Sequence, residues 1–177
     1  MVIWMAGLSG AGKTTLCRLI YERLKPTMPE LVLLDGDAVR EALGHDLGYG
    51  ESERVKQVTR VQRVARMLSE QGLVVIVALV YAHPDLLAWN RGHIPEYFEV
   101  LLDAPMELVR QRDPKDLYAR AQRGEMRDLV GHDIPWHRPT SSDLVLDVAH
   151  QTPEELADRV ARAIPALAEH WPASPIA

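Results

Sequence analysis

Two short segments near the N-terminus carry residue types that handle phosphate. The first, residues 7–15, reads GLSGAGKTT and fills the pattern G-x-x-x-x-G-K-[ST]. In this pattern glycines let backbone N–H groups turn towards a phosphate, the lysine reaches the β- and γ-phosphates, and the hydroxyl residue after it binds Mg²⁺. The segment therefore predicts a nucleoside triphosphate site, with Thr14 as the metal ligand. Its candidate contacts are Gly7, Ser9, Gly10, Ala11, Gly12, Lys13, Thr14 and Thr15.

The second segment, residues 33–40, reads LLDGDAVR and places two carboxylates after an apolar run. Because strand side chains alternate, Asp35 and Asp37 are expected to point the same way beside the phosphate loop, at the carboxyl edge of a sheet. A hydroxyl that accepts a phosphoryl group needs a group to take its proton. We predict Asp37 as this base and Asp35 as an orienting residue or a holder of the metal's waters. The structural alternative makes Asp37 the N-cap of the following helix.

The elements that would position these segments alternate along the chain. Apolar runs predict strands at 2–7, 30–35, 73–80, 97–104 and 143–148, and helical patterns cover 13–25, 52–71 and 154–170. The last helix is predicted to begin at Thr152 as N-cap, with Pro153 in its first turn. Continuous rather than alternating hydrophobicity indicates strands covered on both faces. The prediction is an α/β fold: a three-layer sandwich with a five-stranded, mostly parallel sheet.

The chain is predicted to form one domain over 1–177, with a lid at about 113–139 and a C-terminal tail at about 171–177. The lid segment is polar and broken by glycine and proline, and long irregular insertions of this kind often close over a site.

The phosphate loop alone does not separate a kinase from a GTPase or an ATP-driven machine. Asn90 is the one asparagine, so the Asn-Lys-x-Asp segment of guanine-specific GTPases is missing.

The composition of the chain indicates which classes of binding partner are not expected. The net charge of -5 does not indicate an extended surface for a nucleic acid polymer. The longest apolar run is too short to span a bilayer, and the first residues lack the basic region of a signal peptide, so we predict a cytoplasmic protein that binds no membrane. Cys17 is the one cysteine, which excludes an internal disulfide, and we predict it as a packed thiol. The seven histidines show no tight ligand spacing.

Taken together, the motifs resemble the adenylyl-sulfate (APS) kinase family. The matching segments are GLSGAGKTT, LDGDAVR, LGYGESER at 47–54 and RDPKDLYARAQRGE at 112–125. The resemblance covers about residues 2–148 and implies a P-loop kinase fold. It also implies ATP and Mg²⁺ as cofactors, transfer of the γ-phosphate to the ribose 3′-hydroxyl of APS to give PAPS, and a homodimer as a possible assembly.

The resemblance also implies roles for individual residues. Arg112 would lie on the ATP side, and Arg40 and Arg54 would hold anionic groups of a small nucleotide acceptor. Tyr49 would stack on the acceptor's base. The remaining acceptor-side residues would be Gln57, Val80, Tyr81, Lys115, Tyr118 and Leu129, of which Lys115 and Tyr118 would lie on the lid.

The departures from the family pattern fall on the acceptor side. Gln57 stands where the family has asparagine, YAHP at 81–84 replaces Ser-Pro-Tyr-Arg, and Asp116 replaces the lid glycine. Several changes in one pocket favour a different nucleotide acceptor, such as CDP-phosphoramidate, as the alternative to APS. Two further alternatives are a small-metabolite kinase of the shikimate or gluconate type and a nucleotide-binding subunit without catalysis.

Overall fold

The computed structural model describes residues 1–44 and 46–172, so His45 and most of the predicted tail lie outside the described residues. A five-stranded sheet, in which every pairing is parallel, has the order β2-β3-β1-β4-β5. All five predicted strands are confirmed, each to within one residue at either end. They are β1 Val2–Ala6, β2 Leu31–Asp35, β3 Val74–Leu79, β4 Tyr97–Asp103 and β5 Leu144–Asp147.

The centre of the sheet forms the core. Every residue of β1 and β3 is buried, because these strands are covered on both faces. This accounts for their uninterrupted apolar sequences. The helices that cover the sheet or join its strands are α1 Lys13–Leu24, α2 Gly36–Ala42, α3 Glu51–Glu70, α4 Pro84–His93, α5 Met106–Arg112, α6 Leu117–Gln122, α7 Pro153–Ala163 and α8 Pro165–Ala168.

The last predicted helix is wrong in its extent. Residues 154–170 form two helices, because Pro165 follows the end of α7 and cannot continue a helix that needs its N–H. The start is confirmed: Thr152 is the N-cap and makes a reciprocal capping box with Glu155, with Pro153 in the first turn.

The predicted lid is more ordered than its composition suggests. It contains α6 and a short bridge between Val130 and Ile134. Asp116 and Asp128 adopt left-handed backbone conformations with φ of 54° and 63°. Among residues 1–44 and 46–172, no helix is long and apolar enough to cross a membrane.

The sheet order sets the place of the site. The phosphate loop follows β1, which has β3 and β2 on one side and β4 and β5 on the other. Ligands of open α/β sheets bind at the carboxyl ends of the strands, where the strand order reverses. Connections from both halves of the sheet therefore meet around the loop.

Candidate active site

One large cavity of about 1240 Å³ lies at this edge of the sheet. Sites for a single small molecule measure roughly 300–1,000 Å³, so the cavity has room for more than one ligand. Most of the residues predicted from the sequence line it. They are Ser9, Gly10, Ala11, Gly12, Lys13, Thr14, Thr15, Asp35, Asp37, Arg40, Tyr49, Arg54, Gln57, Val80, Tyr81, Arg112, Lys115 and Leu129.

The phosphate loop has an open concave face. Gly12 is the N-cap of α1 with φ of 93°, a left-handed conformation that side chains disfavour, and a Cβ placed there would meet no atom within 4 Å. The space beside the helix N-terminus is therefore free for an anion. Lys13 Nζ is buried below this space and donates to the carbonyl oxygens of Gly7 and Leu8, each at 2.8 Å.

Burial makes the charged form of Lys13 less stable in the free protein. Burial lowers the pKa of Lys13 to about 8, against smaller opposing effects of Cys17, Asp35 and Asp37. A buried ammonium is stabilised when an anion approaches it. The loop therefore fits a triphosphate. The negative charge of the triphosphate would stabilise the Lys13 ammonium group more than the two carbonyl groups do. Cys17 is fully buried, and burial raises its thiol pKa to about 12, as expected for a packed side chain.

Thr14 and Asp35 form the part of the site suited to a metal. Thr14 Oγ1 donates to Asp35 Oδ2 at 2.7 Å. Mg²⁺ prefers oxygen ligands and is usually held by few protein groups together with substrate phosphates. These two oxygens beside the phosphate loop fit that requirement. In the described ranges, no group of three or more His, Cys, Asp or Glu residues could hold a metal ion.

The structure corrects the alternative in which Asp37 is the N-cap of the helix after β2. Asp35, not Asp37, is the N-cap of α2, and its Oδ1 accepts from the backbone N–H groups of Asp37 and Ala38 at 3.1 and 3.4 Å. Strand alternation does not relate the two side chains, since Asp37 already lies in the first helical turn. Gly36 permits this abrupt change, because a Cβ there would stand 2.5 Å from Leu79 Cδ2 and 3.1 Å from the Ala78 carbonyl oxygen.

Asp37 is paired with the lid. Lys115 Nζ donates to Asp37 Oδ2, and this hydrogen bond raises the pKa of Lys115. Both side chains are well exposed, at 60% for Lys115 and 67% for Asp37. Exposed pairs of this kind contribute only about 0–1 kcal/mol, so each partner can exchange the other for a ligand group.

Two arginine side chains pack against the ring of Tyr49. Arg40 and Arg54 lie 4.6 and 5.6 Å from the centre of its ring, and Tyr49 as a whole residue is 47% exposed. Arg40 also donates to the carbonyl oxygens of Leu47 and Gly48 at 2.7 and 2.9 Å. Both guanidinium groups line the cavity while bracing the loop that carries Tyr49, and their contact with an acceptor anion stays a prediction.

Gln57 is a buried polar residue among those predicted to contact the acceptor. It is 3% exposed, and its Nε2 is buried with no hydrogen-bond partner in the described part of the chain. An unsatisfied buried donor costs about 1–3 kcal/mol. Gln57 also lines the cavity, and its contact with an acceptor stays a prediction.

Two predicted contacts do not line the cavity. Tyr118 is 5% exposed, and its hydroxyl donates to the Ser9 carbonyl oxygen at 3.3 Å, so it braces the phosphate loop from behind. Gly7 contributes its carbonyl to Lys13 instead of facing the open space. Sequence reasoning missed several lining residues near the loop, in the lid and after β5. They include Arg18, Arg120, Met126, Val130, Gln151 and Pro153.

The missed residues after β5 had a usable signal. Gln151 and Pro153 follow the carboxyl end of a predicted parallel strand, which is where ligands of such sheets bind. Arg18 lies one turn after Thr14 on α1 and could have been placed by helical spacing. The lid residues carried no comparable signal.

The parallel sheet and the phosphate loop that follows β1 place the chain in the class of P-loop proteins, which bind nucleoside phosphates. A family model described as adenylylsulphate kinase matches residues 1–147. The chain belongs to this family, as its motifs indicated.

Individual relatives agree with this assignment. An adenylyl-sulfate kinase of Paraburkholderia xenovorans (strain LB400) is 39% identical over 160 residues, which cover 90% of this chain and 89% of that protein. A cytidine diphosphoramidate kinase of Campylobacter jejuni is 36% identical over 146 residues, or 82% of this chain and 85% of that protein. The chain spans only 25% of a bifunctional enzyme NodQ of Rhizobium sp. (strain N33), at 37% identity.

A solved structure confirms the fold. The APS kinase CysC of Mycobacterium tuberculosis, in complex with AMPPNP and APS, superposes with a TM-score of 0.85. The two chains are 32% identical, and the match covers 92% of this chain and 95% of that one.

Proposed function

We propose that this protein is a kinase that transfers the γ-phosphate of ATP to the ribose 3′-hydroxyl of a small nucleotide, with APS as the acceptor and PAPS as the product. The observation that carries the proposal is the arrangement at one edge of the sheet. An anion cradle with a buried lysine stands beside a Thr14–Asp35 pair, and Asp37 lies in the next turn of chain. The family relation and the AMPPNP and APS bound to the CysC structure support it.

The side chains divide the reaction between them. Lys13 and the N-terminus of α1 would bind the β- and γ-phosphates. Thr14 and Asp35 would hold Mg²⁺, which, when bound, neutralises charge on the phosphates. Asp37 would leave Lys115, accept the proton of the 3′-hydroxyl and orient its oxygen towards the γ-phosphorus. Lys115 would then be free to contact phosphate from the lid side.

The second candidate acceptor is a cytidine nucleotide such as CDP-phosphoramidate. The relative from Campylobacter jejuni acts on that class by its name, and Gln57 and Tyr81 differ from the residues of the family pattern. Release of ADP from MgATP should be followed with APS, CDP-phosphoramidate, nucleoside mono- and diphosphates, and polyols. Saturable turnover with APS is expected. Turnover with the cytidine conjugate alone would move the acceptor to the second candidate, and turnover with a polyol alone would contradict a nucleotide acceptor.

Binding of ATP should be coupled to uptake of a proton at alkaline pH. The pKa of Lys13 is about 8 in the free protein, and a bound triphosphate stabilises the charged lysine and raises that pKa. Between the two pKa values the free protein has lost the proton and the complex retains it, so binding must take one up. Calorimetric titration in buffers of different ionisation enthalpy, at about pH 8.5, measures this uptake.

The matched control for proton uptake is Lys25→Met. Lys25 Nζ also donates to two carbonyl oxygens, those of Pro29 and Leu31 at 2.8 and 2.7 Å, but it does not line the cavity. Its loss should leave the uptake unchanged. Equal apparent enthalpies in all buffers for the unaltered chain would contradict the role of Lys13.

Replacement of Gln57 should affect the acceptor and not ATP. Gln57→Met keeps the length of the side chain but removes the buried donor, and a lost hydrogen bond of about 1–3 kcal/mol raises the acceptor KM roughly 5- to 150-fold. The free protein should gain stability, since the unsatisfied amide is gone. Steady-state kinetics and thermal unfolding measure the two effects.

Gln62 provides the control for Gln57. It lies on the same helix, is 2% exposed, and its Nε2 donates to the Leu86 carbonyl oxygen at 2.7 Å. Gln62→Met should destabilise the protein by leaving that carbonyl unpaired, with the acceptor KM unchanged. The opposite pattern in the two variants would refute the assignment of Gln57 to the acceptor.

A further inference from the structure

Four side chains from three elements meet beside the acceptor half of the cavity. Glu51 lies in the first turn of α3, Tyr81 and His83 lie between β3 and α4, and His137 lies in the lid. Tyr81 donates its hydroxyl hydrogen to Glu51 Oε1 at 2.8 Å, and His137 Nε2 lies 3.9 Å from the same carboxylate oxygen. We refer to these four residues as the Glu51 cluster.

The rings of the cluster are in mutual contact. The centroids of His83 and His137 lie 4.8 Å apart in an edge-on arrangement, and those of Tyr81 and His137 lie 6.2 Å apart. Tyr81 is 3% exposed and lines the cavity. A residue of the lid is thus packed against a residue of the acceptor wall, and Glu51 contacts both.

One atom of the cluster has an incomplete environment. His137 Nε2 is buried and, within the residues that the structure describes, makes no hydrogen bond. The charged and titratable groups beside His137 are Glu51 on α3 and Tyr81 and His83 on the β3–α4 connection. Arg54 lies near Tyr81, and its charge lowers the pKa of Tyr81. The neighbouring Arg138 pairs with Asp103 at 2.8 Å, and Asp85 lies 3.6 Å from His83 Nδ1.

Of the side-chain types in this cluster, histidine is the one that ordinarily changes charge near neutral pH. Burial, with a further contribution from Glu51, raises the pKa of Tyr81 to about 12, so its hydroxyl keeps its proton throughout that range. When His137 is protonated, its Nε2 becomes a charged donor facing the Glu51 carboxylate. When His137 is neutral, that attraction is lost and the buried nitrogen is satisfied less well.

We propose that Glu51 and His137 are positioning residues for the acceptor: through Tyr81 they join the lid to the acceptor wall, and protonation of His137 strengthens the join. This inference rests on the proposed function, since the acceptor is the ligand that the joined elements enclose. It gives the substitution of YAHP for the family's Ser-Pro-Tyr-Arg a physical role. The Glu51 cluster, which lies outside the phosphate loop, therefore fixes the position of the lid.

The kinetic test compares the unaltered chain with two conservative variants. Glu51→Gln keeps an oxygen to accept from Tyr81 but removes the charge, and His137→Phe keeps a ring against Tyr81 and His83 but cannot titrate. Partly exposed pairs have modest energies, so the acceptor KM of the unaltered chain should rise about two- to five-fold more than that of either variant between about pH 6 and about pH 8. The ratio to each variant removes the effect of the acceptor's own ionisation. The ATP KM should not separate the three proteins.

A second readout needs no acceptor. Amide hydrogen exchange of residues 129–138 in the free protein, expressed as protection relative to intrinsic rates at each pH, should show more protection at the lower pH. This difference should disappear in both variants. Failure of every acceptor to turn over would refute the proposed function while leaving this protection measurable.

Two outcomes would overturn the inference itself. The first is equal protection of residues 129–138 at the two pH values in the unaltered chain. The second is an acceptor KM whose ratio between the unaltered chain and Glu51→Gln does not change with pH. Tyr81→Phe provides a further check, since removal of its hydroxyl should weaken acceptor binding at both pH values and leave the ATP KM unchanged.

Discussion

Asp37→Asn should lower kcat by about 10²- to 10⁴-fold, the range in which a positioned general base contributes. Asparagine keeps the size of the side chain and the polar first turn of α2, but it cannot take the proton of the acceptor hydroxyl. The KM for ATP should change little, because Asp35 and not Asp37 is paired with Thr14. Steady-state ADP release, with the acceptor that is turned over in the panel described above, measures the effect.

Folding does not account for the expected loss. The Asp37 side chain is 67% exposed and its ion pair with Lys115 is also exposed, so removing the charge should change the free energy of unfolding by less than about 1 kcal/mol. The matched control is Glu107→Gln, an exposed acid in the first turn of the equally short α5. It should keep normal turnover. A rate for Asp37→Asn close to that of the unaltered chain would remove Asp37 as the base and make Asp35 the candidate.

The sequence predicted the strands and the phosphate loop well, for physical reasons that are local. A strand buried on both faces must be apolar throughout, and β1 and β3 show this directly. The phosphate loop depends on glycines at fixed positions in one continuous segment. Helix caps such as Thr152 are equally local, because the side chain bonds to backbone only three residues away.

The pairing of site residues was less predictable, because it depends on where distant segments come to rest. The pattern placed the end of β2 at residue 35, where the structure also has it, but it did not show that Asp35 would serve as the N-cap of α2. Tyr118 was expected at the acceptor and instead braces the phosphate loop, 109 positions away in sequence. The Glu51 cluster joins three elements, and no spacing within any one of them indicates the others.

Lys13→Met should lower kcat/KM by about 10²- to 10³-fold, the loss that follows removal of one group that stabilises charge in a transition state. Methionine fills the same space with no charge, so the phosphates would lose their buried cation while the loop keeps its glycines. The proton uptake on ATP binding should disappear with it. Lys25→Met, which removes a lysine with the same pattern of two carbonyl partners outside the cavity, should retain full activity.

Stability distinguishes this loss from misfolding. Burial holds the pKa of Lys13 at about 8, below its ordinary value. The folded state therefore disfavours the charged lysine, and this cost to stability is fully present below about pH 8 and diminishes as the pH rises towards the unfolded value. Near neutral pH, Lys13→Met removes that cost, so the free variant should melt at the same temperature as the unaltered chain or above it. A lower melting temperature together with lost activity would contradict this account and would mean that Lys13 supports the fold through its hydrogen bonds to Gly7 and Leu8.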